Sequence, residues 1–252
     1  ALFWAAEEDN LQAMQLLLEH PKCIELLDMS DRYLNTPLHI AAEKGYLRCV
    51  KALLDADADM DAKNEEEQTP LHLAAKHGKT NVVRELVNRN KQVINDEDED
   101  TNTPLHLASL AGHNKAVMAL LEAGADIEAR NCSLWTPLDC AAAKGWRKTV
   151  KVLLEADSSV DPMDKTKTTP LHLASTRGHL SVVNLLLQWK ANVSQRDTDG
   201  KNCLDLAIDG GHKDVASAIV MCEKWKEALS NETLDLNTGL RVTPMRKLIK
   251  KM

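Results

Sequence analysis

The chain has 252 residues, 44% of them hydrophobic and only 3% aromatic, which suits small, closely packed helices better than a β-sandwich. No apolar run approaches the roughly 18–20 residues that a membrane span needs. The formal net charge of −7 is uneven: residues 241–252 hold five Lys/Arg and no acid, the rest holds 26 bases against 38 acids, and such an acidic body is not built to wrap nucleic acid.

The chain starts on Ala1-Leu2-Phe3-Trp4, inside what reads as a helix, with no basic stretch leading an apolar one as in a signal peptide. Leu2 to Ala6 aligns with Leu38 to Ala42, so an N-terminally cut copy opens a series and the array is expected to continue upstream. Thr36-Pro37-Leu38-His39 then recurs at Thr69, Thr103 and Thr169, as Thr136-Pro137-Leu138-Asp139, and in degraded form as Asn202-Cys203-Leu204-Asp205. The steps are 33, 34, 33, 33 and 33 residues. In each copy Thr caps a first helix and Pro takes its first position, where a missing N–H costs nothing. Gly45, Gly78, Gly112, Gly145, Gly178 and Gly211 end that helix.

A second helix follows, with apolar residues such as Val82, Val83, Leu86 and Val87 at helical spacing. It ends at Asp57, Asn90, Gly124, Asp157 and Lys190. All but Lys190 are types that tolerate a left-handed backbone, so a strained or differently closed turn is expected at Lys190. Asp31, Asn64, Asp98, Asn131, Asp164 and Asp197, five residues before each cap, are placed to fix a turn through their own backbone. This pattern resembles the ankyrin repeat. The resemblance implies an all-α solenoid of helix-turn-helix units with hairpin fingers, about seven repeats over residues 1–222, followed by a linker over 223–252. That family places Gly two residues before the cap. Only Gly200 does so here; Leu34, Glu67, Thr101, Leu134 and Lys167 fill the other positions, and less regular finger tips are expected.

The repeat absorbs most residues that suggest chemistry. One histidine per repeat makes a ladder rather than a set converging on one ion, so His39, His72, His106 and His172 read as structural and no metal or cofactor is expected. Asp55, Asp57, Asp59, Asp61 and Glu66 mimic a calcium loop, but Met60 stands where its sharp turn needs Gly. The acidic runs Glu65 to Glu67 and Asp96 to Asp100 fall on fingers, as solvated tips or as a dock for a basic partner. Leu134 and Trp135 lie on another finger, and either contact a partner or fold onto the next finger. Six cysteines without a C-x-x-C pair indicate neither zinc nor disulfides and favour a reducing setting. Cys49 and Cys140 fall in core positions. Cys23, Cys132 and Cys222 fall in loops or at a repeat end, and Cys132 and Cys222 are the candidate reactive thiols. No catalytic constellation is present, and no enzyme is expected.

After the last repeat come Trp225, a loose segment from Asn231 to Gly239, and Thr243 to Met252. Thr243 and Pro244 start a helix with Met245, Leu248, Ile249 and Met252 on one face and Arg246 and Lys247 between them. It is a basic amphipathic helix, suited to a membrane surface or a partner, or to packing on the final repeat. The degraded repeat, Trp225 and the segment Thr243 to Ile249 together resemble TRPA-type cation channels, transient receptor potential channels with long N-terminal ankyrin arrays. The resemblance implies the cytosolic region of a homotetrameric, calcium-permeable channel responding to temperature or reactive chemicals. It would lie at the cytoplasmic face of the plasma membrane. Thr243, Pro244, Arg246 and Lys247 would then couple the array to its own transmembrane domain and to neighbouring subunits. The alternative is a soluble adaptor holding a protein partner on its concave face.

Overall fold

In a computed structural model, residues 1–20, 24–234 and 241–251 are described. They form two compact units, residues 1–132 and 133–252. The first contains α1 (Leu2–Glu7), α2 (Leu11–Leu18), α3 (Ile24–Leu27), α4 (Pro37–Lys44), α5 (Leu47–Asp55), α6 (Pro70–Lys76), α7 (Thr80–Arg89), a 3-10 turn (Gln92–Asn95), α8 (Pro104–Ala111) and α9 (Asn114–Glu122). The second contains α10 (Pro137–Lys144), α11 (Arg147–Glu155), α12 (Pro170–Thr176), α13 (Leu180–Gln188), α14 (Cys203–Asp209), α15 (Lys213–Val220), α16 (Trp225–Leu229), the strands β1 (Thr233–Leu234) and β2 (Arg241–Val242), and α17 (Pro244–Lys251). The fold is all-α and of the repeat-solenoid class, as the sequence pattern implies.

Each repeat forms for the same local reasons. Thr36, Thr69, Thr103, Thr136 and Thr169 cap their helices with Pro in the first position, each within a reciprocal box closed by the residue three along. The His39 ring shows why that residue is usually histidine. Its Nδ1 accepts the Thr36 backbone N–H at 3.1 Å, and its Nε2–H donates to the Gln68 carbonyl of the next finger at 2.9 Å. His72 bridges in the same way to Asn102 at 3.1 Å, and His172 to Gln195 at 3.0 Å. Each ring therefore ties its own cap to the neighbouring repeat, using both nitrogens. Leu38, Leu71, Leu105, Leu138, Leu171 and Leu204, directly after the helix-starting residue, are fully buried. Alanines let the first helices stack: α4 packs on α6 and α6 on α8, as α10 packs on α12 and α12 on α14.

The first helices end in left-handed glycines as expected, and at Gly78 there are two reasons for glycine. Its φ is +66°, and an added Cβ would meet the His113 ring at 2.6 Å. Three expectations need correction. Asn90 is extended, with φ −142°. Its repeat carries the one extra residue in the series, and the 3-10 turn Gln92–Asn95 absorbs it, started by a bond from the Gln92 N–H to Asn90 Oδ1. The finger tips are not irregular either. Leu34, Glu67, Thr101, Leu134 and Lys167 all adopt φ between 56° and 61°, in the same left-handed region as Gly200. The turn is imposed by its surroundings, because side-chain crowding there costs an L-residue about 1–2 kcal/mol. Lys190 takes the left-handed turn of Asp57, Gly124 and Asp157, closed by its N–H on the Leu187 carbonyl and that of Ala191 on Leu186.

A prediction follows for the β-branched tip. Thr101→Gly should relieve about 1–2 kcal/mol of backbone crowding and give back up to about 1 kcal/mol in unfolded-state entropy. The melting temperature measured by circular dichroism should rise by roughly 2 °C. A fall would show that the Thr101 side chain stabilises more than its conformation costs.

Candidate binding surface

The fingers have no strands and are held by hydrogen bonds instead. The Oδ1 of Asp31 accepts the N–H of Tyr33 at 2.8 Å and of Asn35 at 2.9 Å, and Asn64, Asp98, Asp164 and Asp197 do the same within their own loops. Backbone bonds then link finger to finger: Glu65 N–H to Tyr33, Glu99 to Glu66 and Cys132 to Asp100 in the first unit, and Lys165 to Ser133 and Thr198 to Thr166 in the second. A second ladder runs between side chains. The residue before each cap meets the turn-fixing residue of the next finger: Asn35 with Asn64 at 3.1 Å, Gln68 with Asp98 at 3.5 Å, and Asn102 with Asn131 at 2.9 Å.

Trp135 belongs to that ladder. Its indole N–H donates to Asp164 Oδ2 at 3.0 Å, and the ring is half-buried. Where the next finger carries Asp, which only accepts, the residue before the cap must donate, and Gln68 and Trp135 both do. Of the two readings open for Trp135, the geometry is that of a side chain bonded to the neighbouring finger. Leu134 beside it remains 40% exposed at the tip. The pairing is legible in the sequence once residues 29 or 30 apart are compared.

The exposed tips differ between the units. In the first, Tyr33 and Leu34 are about half exposed, with the Arg32 guanidinium 4.6 Å from the Tyr33 ring centre, and Glu65, Glu66 and Glu67 stand on the next finger. Lys76 pairs with Glu66 and Lys63 with Glu67, each at 3.5 Å between exposed groups, so neither pair contributes much. The Asp96 to Asp100 run is only partly a solvated tip. Asp98 is buried as a turn-fixing residue, and burial, with Asp61 nearby, raises the pKa of Asp96. Glu97, Glu99 and Asp100 are exposed. In the second unit the tips carry Leu134, Lys165 and Lys167. Asp55, from the stretch resembling a calcium loop, instead forms an ion pair with Arg89 at 2.7 Å.

Three cysteines are buried. Burial pushes the thiols of Cys49 and Cys140 up to about 12 and that of Cys203 upward as well, and Cys49 also donates to Asp9 Oδ1 at 3.3 Å. Cys132 is exposed on a finger and Cys222 is half-buried after α15, while Cys23 lies outside the described residues.

Of the segment expected to be loose, only residues 231–234 are described, and they are bonded to the last repeat and to β2. Asp205, in the position of the repeat histidine, is fully buried, and no further finger follows it among the described residues. It instead accepts the Asn231 side-chain amide at Oδ2 and pairs with the Lys247 ammonium at Oδ1, both at 2.5 Å. The Asn231 amide also reaches the Gly200 carbonyl at 3.0 Å, and Asn202 donates to Ala228 at 2.7 Å. β1 pairs antiparallel with β2, and Thr243 Oγ1 accepts the Arg246 N–H at 3.4 Å. Pro244 is buried, Met245 and Arg246 are exposed, and α17 packs on α14 and α16. Residues 235–240 and Met252 lie outside the described residues, as do the side chains of Leu248 and Ile249 that complete the expected apolar face. Among the described residues no helix is long and apolar enough to cross a membrane.

Among the described residues no group of His, Cys, Asp or Glu is placed to hold a metal ion, and repeated caps, bridging histidines and bonded fingers build a display surface. Its pattern is matched by the family model described as ankyrin repeats (3 copies), over residues 1–64, 49–131 and 140–228, and the chain belongs to the ankyrin-repeat family.

Proposed function

We propose that this chain is a protein-interaction scaffold, and that the finger row of residues 1–132 holds a partner segment with a basic stretch and an apolar anchor. Ankyrin repeats are interaction modules, which supports the scaffold reading. The observation that carries the finer one is the row itself: exposed Tyr33 and Leu34 beside the exposed acids Glu65 to Glu67, Glu99 and Asp100, on fingers bonded to one another. Preorganised loops lose little entropy on binding. The test is photo-crosslinking from a benzophenone residue at Leu34 or Glu66 in the full-length protein, with exposed Lys51 on α5 as control. A common adduct at the two finger positions, absent at Lys51, is the expected result. Adducts at Lys51 alone, or at none of the three, discard the finger row as the site.

A second reading, the cytosolic region of a homotetrameric TRPA-type channel at the plasma membrane, draws on Trp225 and the segment Thr243 to Ile249. The Lys247–Asp205 pair favours it, since it ties the last repeat to the chain that follows. Calcium imaging of cells expressing the full-length protein decides it: influx on warming or on exposure to an electrophile supports the channel, and its absence leaves the scaffold alone.

A further inference from the structure

Residues 1–132 carry 24 Asp/Glu against 13 Lys/Arg, so this unit is net acidic. One groove departs from that. It has a volume of about 830 Å3 and runs over the turns joining α4 to α5 and α6 to α7 and along α9. These turns lie at the opposite ends of the helices from the fingers. Lys44, Lys79, Arg84 and Lys115 line the groove, and no carboxylate does. Arg84 is paired with Glu122 at 3.4 Å; Lys44, Lys79 and Lys115 have no ion pair among the described residues. Lys79 is held against the backbone of Gly45, where a Cβ would come within 2.7 Å of its Cδ. The apolar lining is buried Val82 and Met118, a thioether left 45% exposed.

The spacing of the cations decides what fits. Lys44 ends the first helix of one repeat, Lys79 and Arg84 belong to the next and Lys115 to the third. Helices stack about 8–10 Å apart, whereas a charged hydrogen bond closes at about 2.8 Å. One phosphate or carboxylate therefore cannot span the set. A polyproline II segment has three residues per turn and advances about 3.1 Å per residue, so acids three residues apart share one face and meet cations one repeat apart.

We propose that this groove binds an extended acidic segment of a protein partner, with Asp or Glu at every third residue and an apolar side chain seated on Met118. A flexible thioether suits an apolar contact of loosely defined shape.

The test is fluorescence anisotropy with a labelled synthetic peptide carrying Glu at every third position around a central Leu. Saturable binding at low salt is expected, with none for the same peptide carrying Lys in place of Glu. Combining Lys79→Glu and Lys115→Glu should weaken it at least about tenfold, and Met118→Ser severalfold. Far-ultraviolet circular dichroism melting checks that the variants fold, and Lys115→Glu alone carries the comparison if Lys79→Glu disturbs α7. Equal affinity for the charge-reversed variant, or no saturable binding, overturns the proposal. Inorganic tripolyphosphate binding where the peptide does not makes the groove a small-anion site and overturns it too.

Discussion

Acidification from pH 7 to pH 4 is expected to remove several kcal/mol of stability from this chain, most of it before any carboxylate of ordinary pKa is half protonated. His72 is fully buried, and burial holds its pKa down to about 4, against 6.5 when unfolded. The folded ring stays neutral between those values while the unfolded ring takes up a proton, so the unfolded state binds more protons and stability falls as pH falls. The stability is whole above 6.5 and is lost progressively down to about 4. A displacement of that size corresponds to about 3 kcal/mol. Burial lowers His39 and His172 in the same direction, so the three rings act together. Asp96 and Asp161 act the other way, since burial raises both and favours their protonated form, but each is more exposed than the rings. Asp31, lowered by the bonds it accepts from its own finger, adds its loss only below 3.8. Urea titrations at closely spaced pH values should show the midpoint falling between pH 6.5 and 4, and proton NMR should show His72 titrating near the lower limit. A His72 midpoint near 6.5 would mean that the bridge to Asn102 is open in solution.

Removing the Lys247 ammonium is the second large effect. Lys247→Ala leaves the Asp205 carboxylate, 0% exposed, with the Asn231 amide as its remaining partner from the tail. Breaking one side of a buried pair costs about 3–5 kcal/mol, because the other charge stays desolvated and uncompensated. The loss should be local, since repeats contact only their neighbours. Hydrogen exchange should accelerate in α14, α16 and α17 and stay unchanged in α4 and α6. Adding Asp205→Asn should recover much of the loss, as an amide oxygen can still cap Asn202 without a charge. Unchanged exchange in α14 and α16 would mean that the pair does not form in solution.

The sequence and the structure agree where a residue's role is set within its own repeat. Caps, helix-starting prolines, left-handed glycines and the turn-fixing Asp and Asn all act over five residues or fewer, so a 33-residue period exposes them. The sequence decides less where the role depends on the neighbouring copy. For Trp135 two readings stay open until its partner Asp164 is counted, and the degraded repeat looks decayed until Asp205 is seen to receive Lys247 and Asn231 from the tail. Asn90 differs because an inserted residue must go somewhere, and composition alone does not choose between a wider loop and a 3-10 turn. The basic groove was not legible at all, since its lysines come from three repeats at positions that are not equivalent.

The left-handed finger tips have a consequence for how such a chain drifts. Glycine at Leu34, Glu67, Thr101, Leu134 or Lys167 would ease the backbone while removing the side chain that the tip displays. Stability and display therefore pull opposite ways at the same codons. A lineage that stopped using its fingers would be expected to fill these positions with glycine, and one that kept them would hold side chains there at a standing cost to its fold.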